Sequence, residues 1–313
     1  YCFLGIFRMR HRNLPVIKPP KLNPGDTIGV AAPAGPFDPA LFEKGVTALE
    51  AMGYRVFQPR GLTSQDRFLA GSDKHRAGLI NDMFADPVIK AVFCARGGYG
   101  SLRILDLIDY DLIRQNPKIF IGFSDISALL WVLSNQCGLT VFHGPVITML
   151  GKENTETAAG LGTALTATTP MEIPTATGKV VRAGTCRGMV RGGNLATLCH
   201  LTGTPYAPDF RDSVVILEDV DEAPYKIDLM LCQMRMAGCF DGMAGLALGM
   251  FWDCGEYGDI LDVVRDVFKD MDIPILAGFN IGHGSINLTL PFGIPAVLDT
   301  EKQSLVYTES ALL

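Results

Sequence analysis

The chain lacks clustered positive charge. Its 27 Lys and Arg residues are outnumbered by 33 Asp and Glu residues, and the formal net charge is -6. The cationic residues form no runs, so no broad positive field is available to attract a phosphate backbone. We therefore expect no nucleic-acid partner. An anionic peptide is still compatible with this charge, because one or two local arginines are enough to hold it in a pocket.

The eight cysteines form no C-x-x-C pair, and the chain has no apolar run as long as a membrane span. The dispersed cysteines predict neither a zinc site nor a disulfide framework, and they favour a reducing, cytoplasmic compartment. The run at 2–7 is too short for the core of a signal peptide, and no basic region precedes it. The segment before Met9 is interpreted as an upstream extension and left out of the fold prediction. We expect no membrane association.

What the sequence does contain, in its first half, is an alternation of short apolar runs with helical patterns. Strands are predicted at 27–32, 54–57, 89–95, 118–123 and 140–143. Helices are predicted after Asp38, with Pro39 at the first position, and over 73–84, 101–108 and 125–135. Such alternation is typical of a doubly wound, flavodoxin-like parallel sheet. We assign residues 17–150 to this α/β domain.

The second half has a different pattern. Residues 151–184 are rich in Thr, Ala, Gly and Pro with weak periodicity, which predicts a connection between domains. Beyond it, strands are expected at 214–220, 246–252 and 275–280, helices at 225–236 and 260–271, and a closing hairpin near 296–307. Residues 185–313 are therefore predicted to form a β-rich α+β domain.

Ser124 marks the sharpest local feature, an apolar strand that turns directly into an apolar helix. Such a turn exposes the hydroxyl above the sheet edge and presents the amide of Asp125 to a developing oxyanion. The pattern is not the G-x-S-x-G of α/β-hydrolases, because Ile126 stands where the last glycine would be. The alternative interpretation is that Ser124 only caps the helix.

A second feature is the run from Arg96 to Gly100, Arg-Gly-Gly-Tyr-Gly, which follows a strand and opens a helix. Its glycines allow close approach of the backbone to a ligand, and the helix start favours an anion. It matches neither a dinucleotide-binding nor a Walker A pattern. The alternatives are an anion-binding loop and a tight turn with an exposed arginine.

Two further positions complete a possible acyl-transfer set. Glu218 comes at the end of a hydrophobic strand, where a carboxylate can orient a histidine, and Glu222 competes for the same task. His283 lies between two glycines on a loop after a strand, a setting that suits a general base. His143, at the end of the strand that follows the Ser124 helix, is the alternative base. Nucleophile, acid and base thus occur in the order Ser, Glu, His.

At these positions the chain resembles the LD-carboxypeptidase family, serine peptidases that include murein tetrapeptide carboxypeptidases and microcin C immunity proteins. The resemblance extends from about residue 19 to 307. The motifs that carry it are Gly25-Asp-Thr-Ile-Gly-Val-Ala-Ala-Pro, Leu69-Ala-Gly-Ser-Asp, Ala95-Arg-Gly-Gly-Tyr-Gly, Ile121-Gly-Phe-Ser-Asp, His143-Gly-Pro, Gly192-Gly-Asn-Leu, Leu217-Glu-Asp and Gly282-His-Gly.

The resemblance implies Ser124 as nucleophile, His283 as base and Glu218 as its partner, with an oxyanion hole from the amides of Asp125 and Gly98. It also implies a cleft between the domains, a homodimer, and no metal or organic cofactor. The expected reaction removes a terminal D-amino acid from a murein tetrapeptide, whose free carboxylate needs a partner such as Arg96. The alternatives are a microcin-immunity-type amidase that cleaves peptidyl-nucleotide adducts and a non-catalytic ligand-binding module.

Overall fold

A computed structural model describes residues 14–313. The predicted N-terminal extension and Cys2 therefore lie outside the described residues. The strands are β1 (Thr27–Ala31), β2 (Arg55–Phe57), β3 (Ile89–Cys94), β4 (Ile119–Gly122), β5 (Val141–His143), β6 (Glu172–Pro174), β7 (Lys179–Arg182), β8 (Thr185–Asn194), β9 (Ser213–Val220), β10 (Gly245–Trp252), β11 (Ile275–Ala277), β12 (Leu290–Phe292), β13 (Pro295–Asp299) and β14 (Ser304–Tyr307).

The helices connect these strands. They are α1 (Pro39–Ala51), α2 (Asp73–Ala85), α3 (Tyr110–Gln115), α4 (Ser127–Cys137), α5 (Ile147–Leu150), α6 (Thr155–Thr166), α7 (Leu195–Cys199), α8 (Pro224–Met236) and α9 (Tyr257–Val267), with 3-10 helices at Ser101–Leu107 and Ser124–Ile126. As predicted, Asp38 caps α1, accepting a hydrogen bond from the Leu41 amide, and Pro39 begins the helix. Within residues 14–313, no helix combines the length and apolar character needed to span a bilayer.

The first sheet has the strand order β12-β5-β4-β3-β1-β2. Its five parallel strands follow the flavodoxin-like order 2-1-3-4-5, which confirms the predicted fold class. The sixth strand, β12, was not predicted. It is three residues long, contains Pro291 and pairs antiparallel with β5 at the sheet edge, where a proline costs no ladder hydrogen bond.

The second sheet has eight strands in the order β6-β14-β13-β8-β9-β10-β11-β7, parallel from β8 to β11 and antiparallel at both sides. The longest strand, β8, was not predicted, because its glycines interrupt the apolar pattern from which a strand is recognised. A Cβ at Gly192 would lie 1.9 Å from the Ile216 carbonyl oxygen, so the glycine permits β8 to approach β9. The β-rich character of this half is confirmed.

The stretch at 151–184 contains more regular structure than a connection requires. It holds α6, whose cap is the Asn154 side chain accepting from the Thr157 amide, and it supplies the two outermost strands of the second sheet, β6 and β7. The small residues of α6 give only weak amphipathic periodicity, which explains the prediction of irregular chain. The proposed domain limits at 150 and 185 remain a prediction.

The loops at the carboxyl ends of β1 and β3 are held together by Arg76, which has no solvent exposure. Its guanidinium donates to the carbonyl oxygens of Pro33, Gly71 and Gly100 and pairs with Asp73. In a sheet of order 2-1-3-4-5 the chain reverses its winding direction between β1 and β3, and a crevice opens there. Arg76 therefore fixes the backbone on both sides of that crevice.

Candidate active site

Ser124 lies in a strained turn directly after β4. Its φ of 63° is in the left-handed region, which non-glycine residues adopt rarely and which concentrates at functional sites. The residues at the N-cap positions of the 3-10 helix and of α4 are Phe123 and Ile126, and neither helix has a side-chain cap. Ser124 is thus not a capping residue, and the capping interpretation fails.

The glycine loop packs directly on this turn. A Cβ at Gly97 would lie 2.9 Å from the Ser124 Cβ, so only glycine allows the approach. Gly98 has a φ of 110° and lines the same cavity as Ser124, and its amide donates no hydrogen bond within residues 14–313. The Asp125 carboxylate accepts from the Ser101 amide at 2.8 Å and so ties the loop to the serine turn. Burial raises the pKa of Asp125.

Glu218 and His283 form a buried pair at the end of the second sheet. His283 Nδ1 lies 2.7 Å from Glu218 Oε2; the glutamate is fully buried and the imidazole side chain is 18% exposed. The His283 loop is fixed by Asn287, whose Oδ1 accepts from the Gly282 amide at 2.9 Å. A Cβ at Gly282 would lie 2.2 Å from Glu218 Oε2, so this glycine is required for the contact.

Each member of the pair favours the charged form of the other. Burial alone would raise the pKa of Glu218, but the facing imidazoles of His283 and His143 outweigh it, and the pKa lies below its ordinary value. Burial likewise opposes a charge on His283, yet the Glu218 carboxylate raises the pKa of His283. A histidine with an anionic partner and one open side is suited to accept a proton and to be stabilised as the imidazolium.

The structure decides between the glutamates. Glu222 Oε2 lies 3.4 Å from Lys226 Nζ on the following helix, so Glu222 does not serve His283. His143 is fully buried and does not line the cavity, which argues against the alternative of His143 as the base.

Ser124 and His283 come together in a cavity of about 670 Å³ between the two sheets. The His283 ring packs on the ring of Phe123, the residue before the serine, with centroids 4.8 Å apart. In the part of the chain that the structure describes, no hydrogen bond yet joins the Ser124 hydroxyl to His283. Catalytic hydrogen bonds are often long before substrate binds, so the arrangement is compatible with proton transfer.

Two cationic side chains line the cavity, Arg96 and Lys152. Arg96 Nη1 donates to the Pro36 carbonyl at 2.6 Å, which places the guanidinium over the loop after β1. Lys152, just after α5, was not predicted as a site residue because it stands alone in a stretch without motif. Nor was Asn287 assigned a role, although it lies in the same loop sequence as His283. Within residues 14–313, no cluster of three or more His, Cys, Asp or Glu side chains could hold a metal ion.

Two family models match the chain. One, described as the LD-carboxypeptidase N-terminal domain, matches residues 28–144, and the other, described as the LD-carboxypeptidase C-terminal domain, matches residues 187–298. A protein of Bacillus subtilis strain 168, named a probable murein peptide carboxypeptidase, is 36% identical over 96% of both chains. The murein tetrapeptide carboxypeptidase of Pseudomonas aeruginosa is 31% identical over 87% of this chain and 92% of that protein.

The microcin C7 self-immunity protein MccF of Escherichia coli is also similar, at 28% identity over 92% of this chain and 94% of that protein. A solved structure of MccF in complex with glutamyl sulfamoyl guanosine superposes with a TM-score of 0.87 and 26% identity, covering 95% of this chain and 99% of that one.

The pairing of Glu218 with His283 generates a prediction that needs no substrate. Replacing Glu218→Gln removes the negative charge that favours the imidazolium, so the pKa of His283 is expected to fall. Histidine resonances followed by NMR across the pH range measure this shift. Glu222→Gln is the matched control and should leave the His283 titration in place. Equal effects of the two substitutions would contradict the assignment of Glu218 as the partner.

Proposed function

Since the chain belongs to the LD-carboxypeptidase family of serine-type peptidases, we propose that it hydrolyses the amide bond before the C-terminal D-alanine of murein-derived tetrapeptides. The observation that carries this proposal is the placement of a strained, cavity-facing Ser124 beside an imidazole that is paired with a buried carboxylate. That set is what acyl transfer to a serine requires.

In the proposed mechanism Ser124 Oγ attacks the carbonyl carbon of the scissile amide while His283 Nε2 takes the hydroxyl proton. The amides of Asp125 and Gly98 stabilise the oxyanion, and Glu218 stabilises the imidazolium. The proton then passes to the departing nitrogen, which releases D-alanine and leaves an ester on Ser124. Water, deprotonated by the same imidazole, hydrolyses the ester and restores the serine.

Hydrolysis followed by mass spectrometry tests the proposal. The tetrapeptide ending in D-alanine should lose that residue, and the all-L peptide should not. Ser124→Ala should lower kcat/KM by about a thousandfold or more, because it removes the hydroxyl that attacks the scissile carbonyl. Ser64→Ala, a serine outside the cavity, is the control. Undiminished hydrolysis by Ser124→Ala would contradict the proposed mechanism.

The similarity to MccF favours a second candidate, an amidase that acts on aminoacyl-nucleotide adducts with the same three residues. An aminoacyl-sulfamoyl adenosine offered beside the tetrapeptide distinguishes the two by their kcat/KM values. The third interpretation is a non-catalytic binding module. It does not explain the left-handed backbone conformation of Ser124 or the buried Glu218–His283 pair. The absence of hydrolysis of either substrate would favour it.

We further propose that the cations of the cavity bind the free carboxylate of the substrate. Arg96 was the candidate from the sequence, and Lys152 lines the same cavity near His283, where its charge partly offsets the rise that Glu218 causes in the pKa of the imidazole. A buried or half-buried carboxylate gains most from such charge-assisted contacts.

Substrate capping tests this carboxylate site. Arg96→Met and Lys152→Met should each raise KM for the free tetrapeptide by about tenfold with little change in kcat, since the contact is made equally in ground and transition states. With a C-terminally amidated peptide the substitutions should have little effect. A substitution that raises KM equally for both peptides does not act through the carboxylate.

We also propose a homodimer in the cytoplasm. The apolar face of α8 formed by Tyr225, Leu229 and Met236 is 71%, 62% and 89% exposed, and the spacing of these residues puts them on one side of the helix. Cys94, Cys137, Cys186, Cys199, Cys232 and Cys254 form no disulfide, as is usual in a reducing compartment.

Light scattering tests the dimer. The native chain should have about twice the mass of 33.8 kDa. Leu229→Glu should shift it to the monomer by burying a charge in the interface, whereas Val88→Glu, an exposed apolar position elsewhere, should not. A native monomer at the same concentration would contradict the proposal.

A further inference from the structure

His143, at the carboxyl end of β5, is enclosed on all sides and belongs to no hydrogen bond within residues 14–313. It has no solvent exposure, and both of its ring nitrogens are buried without a partner. Its ring lies between those of Phe123 and Phe292, with centroid distances of 6.0 and 5.6 Å. A buried imidazole in such a position costs free energy, because buried polar groups are nearly always paired.

The polar group nearest to His143 is the carboxylate of Glu218. His143 Nε2 lies 4.0 Å from Glu218 Oε1, an oxygen that is itself buried and without a hydrogen bond in the described chain. The other oxygen, Oε2, is the one that contacts His283. Glu218 therefore lies between two imidazoles, one facing the cavity and one facing the core of the first sheet.

Packing alone does not account for this arrangement. An aliphatic side chain at position 143 would fill the space between Phe123 and Phe292 without burying two ring nitrogens. The backbone at His143 is paired on both sides: β5 pairs with β4, where His143 stands opposite Gly122, and with β12, where it stands opposite Leu290. The imidazole is thus held at the carboxyl end of β5, with its Nε2 4.0 Å from Glu218 Oε1.

We propose that His143 is a positioning residue whose Nε2–H donates to Glu218 Oε1, so that the carboxylate stays ionised and aimed at His283. The distance of 4.0 Å is longer than a hydrogen bond and must shorten by about 1 Å in the substrate complex, as catalytic contacts often do. This inference rests on the proposed function for its consequence in catalysis, although its geometry does not.

Several other groups act on the same pair. Asp219, next to Glu218 on β9, has its pKa raised to about 6 by burial and by the Glu218 charge. Burial raises the pKa of the Cys254 thiol to about 11, so it is neutral at physiological pH. Lys152 acts on His283 from the cavity side. All three are common to the variants compared below, so differences between variants report the loss of the His143 donor.

The experiment compares His143→Leu, which removes the donor, with His143→Gln, which keeps an N–H at similar reach. Thr289→Val is the matched control, since its hydroxyl is equally buried and unpaired and packs against Gly144. Circular dichroism establishes that each variant is folded. The readouts are the NMR titration of His283, measured in a Ser124→Ala background, and the pH profile of kcat/KM.

Without the donor, the Glu218 carboxylate is less stable as an anion and less well aimed, so it favours the imidazolium less. In His143→Leu the His283 titration and the acid limb of kcat/KM should therefore both move to lower pH. The value of kcat should fall about tenfold, with KM within about twofold. His143→Gln should restore the native titration, and Thr289→Val should retain it. An unchanged or raised His283 titration in folded His143→Leu, or no restoration by His143→Gln, would overturn the proposal.

The two readouts separate this inference from the proposed function. If neither the tetrapeptide nor the nucleotide adduct is hydrolysed, the proposed function fails, but the NMR titration still decides whether His143 acts on Glu218. If the native protein hydrolyses the tetrapeptide and the His283 titration is the same in the native protein and in His143→Leu, only the proposed role of His143 fails.

Discussion

The burial of the Glu218 carboxylate is the constraint on which the rest of the site depends. A carboxylate without solvent exposure is stable only when charges or hydrogen bonds compensate its lost hydration. Here the compensation comes from His283, on the loop that follows β11 of the second sheet, and from His143, at the end of β5 in the first sheet. The two imidazoles come from the two halves of the chain, so the environment of the Glu218 charge depends on how those halves pack together.

Backbone close approach makes that placement possible. Gly282 leaves room for Glu218 Oε2. Gly249 on β10 leaves room for the Ile281 carbonyl oxygen, which would lie 2.7 Å from a Cβ at position 249. Between the sheets, the Asn194 amide donates to Ser127 Oγ at 2.9 Å, and the Asn194 side chain donates to Asp219 at 2.7 Å. The start of α4, which follows Ser124, is therefore tied through Asn194 to the strand that carries Glu218.

The sequence predicts the elements of the first sheet because each parallel strand is a continuous apolar run followed by a helical pattern. It also indicates Ser124 and His283, which follow strands in apolar and glycine-rich settings, and Glu218, which comes near the end of an apolar strand. It cannot indicate β8, whose glycines serve a contact with β9 that exists only in the folded chain. For the same reason it gives no sign that Lys152 lines the cavity or that His143 faces Glu218, because both depend on tertiary contacts between distant segments.

The central claim is that Ser124 is activated across the cleft by the Glu218–His283 pair. Its most direct test is labelling with a fluorophosphonate, which reacts only with an activated serine, followed by peptide mapping. We predict a single adduct on Ser124, formed in the native protein and lost in His283→Ala, with a slower rate in Glu218→Gln. A native protein that stays unlabelled, or one labelled at the same rate after His283→Ala, would contradict the account.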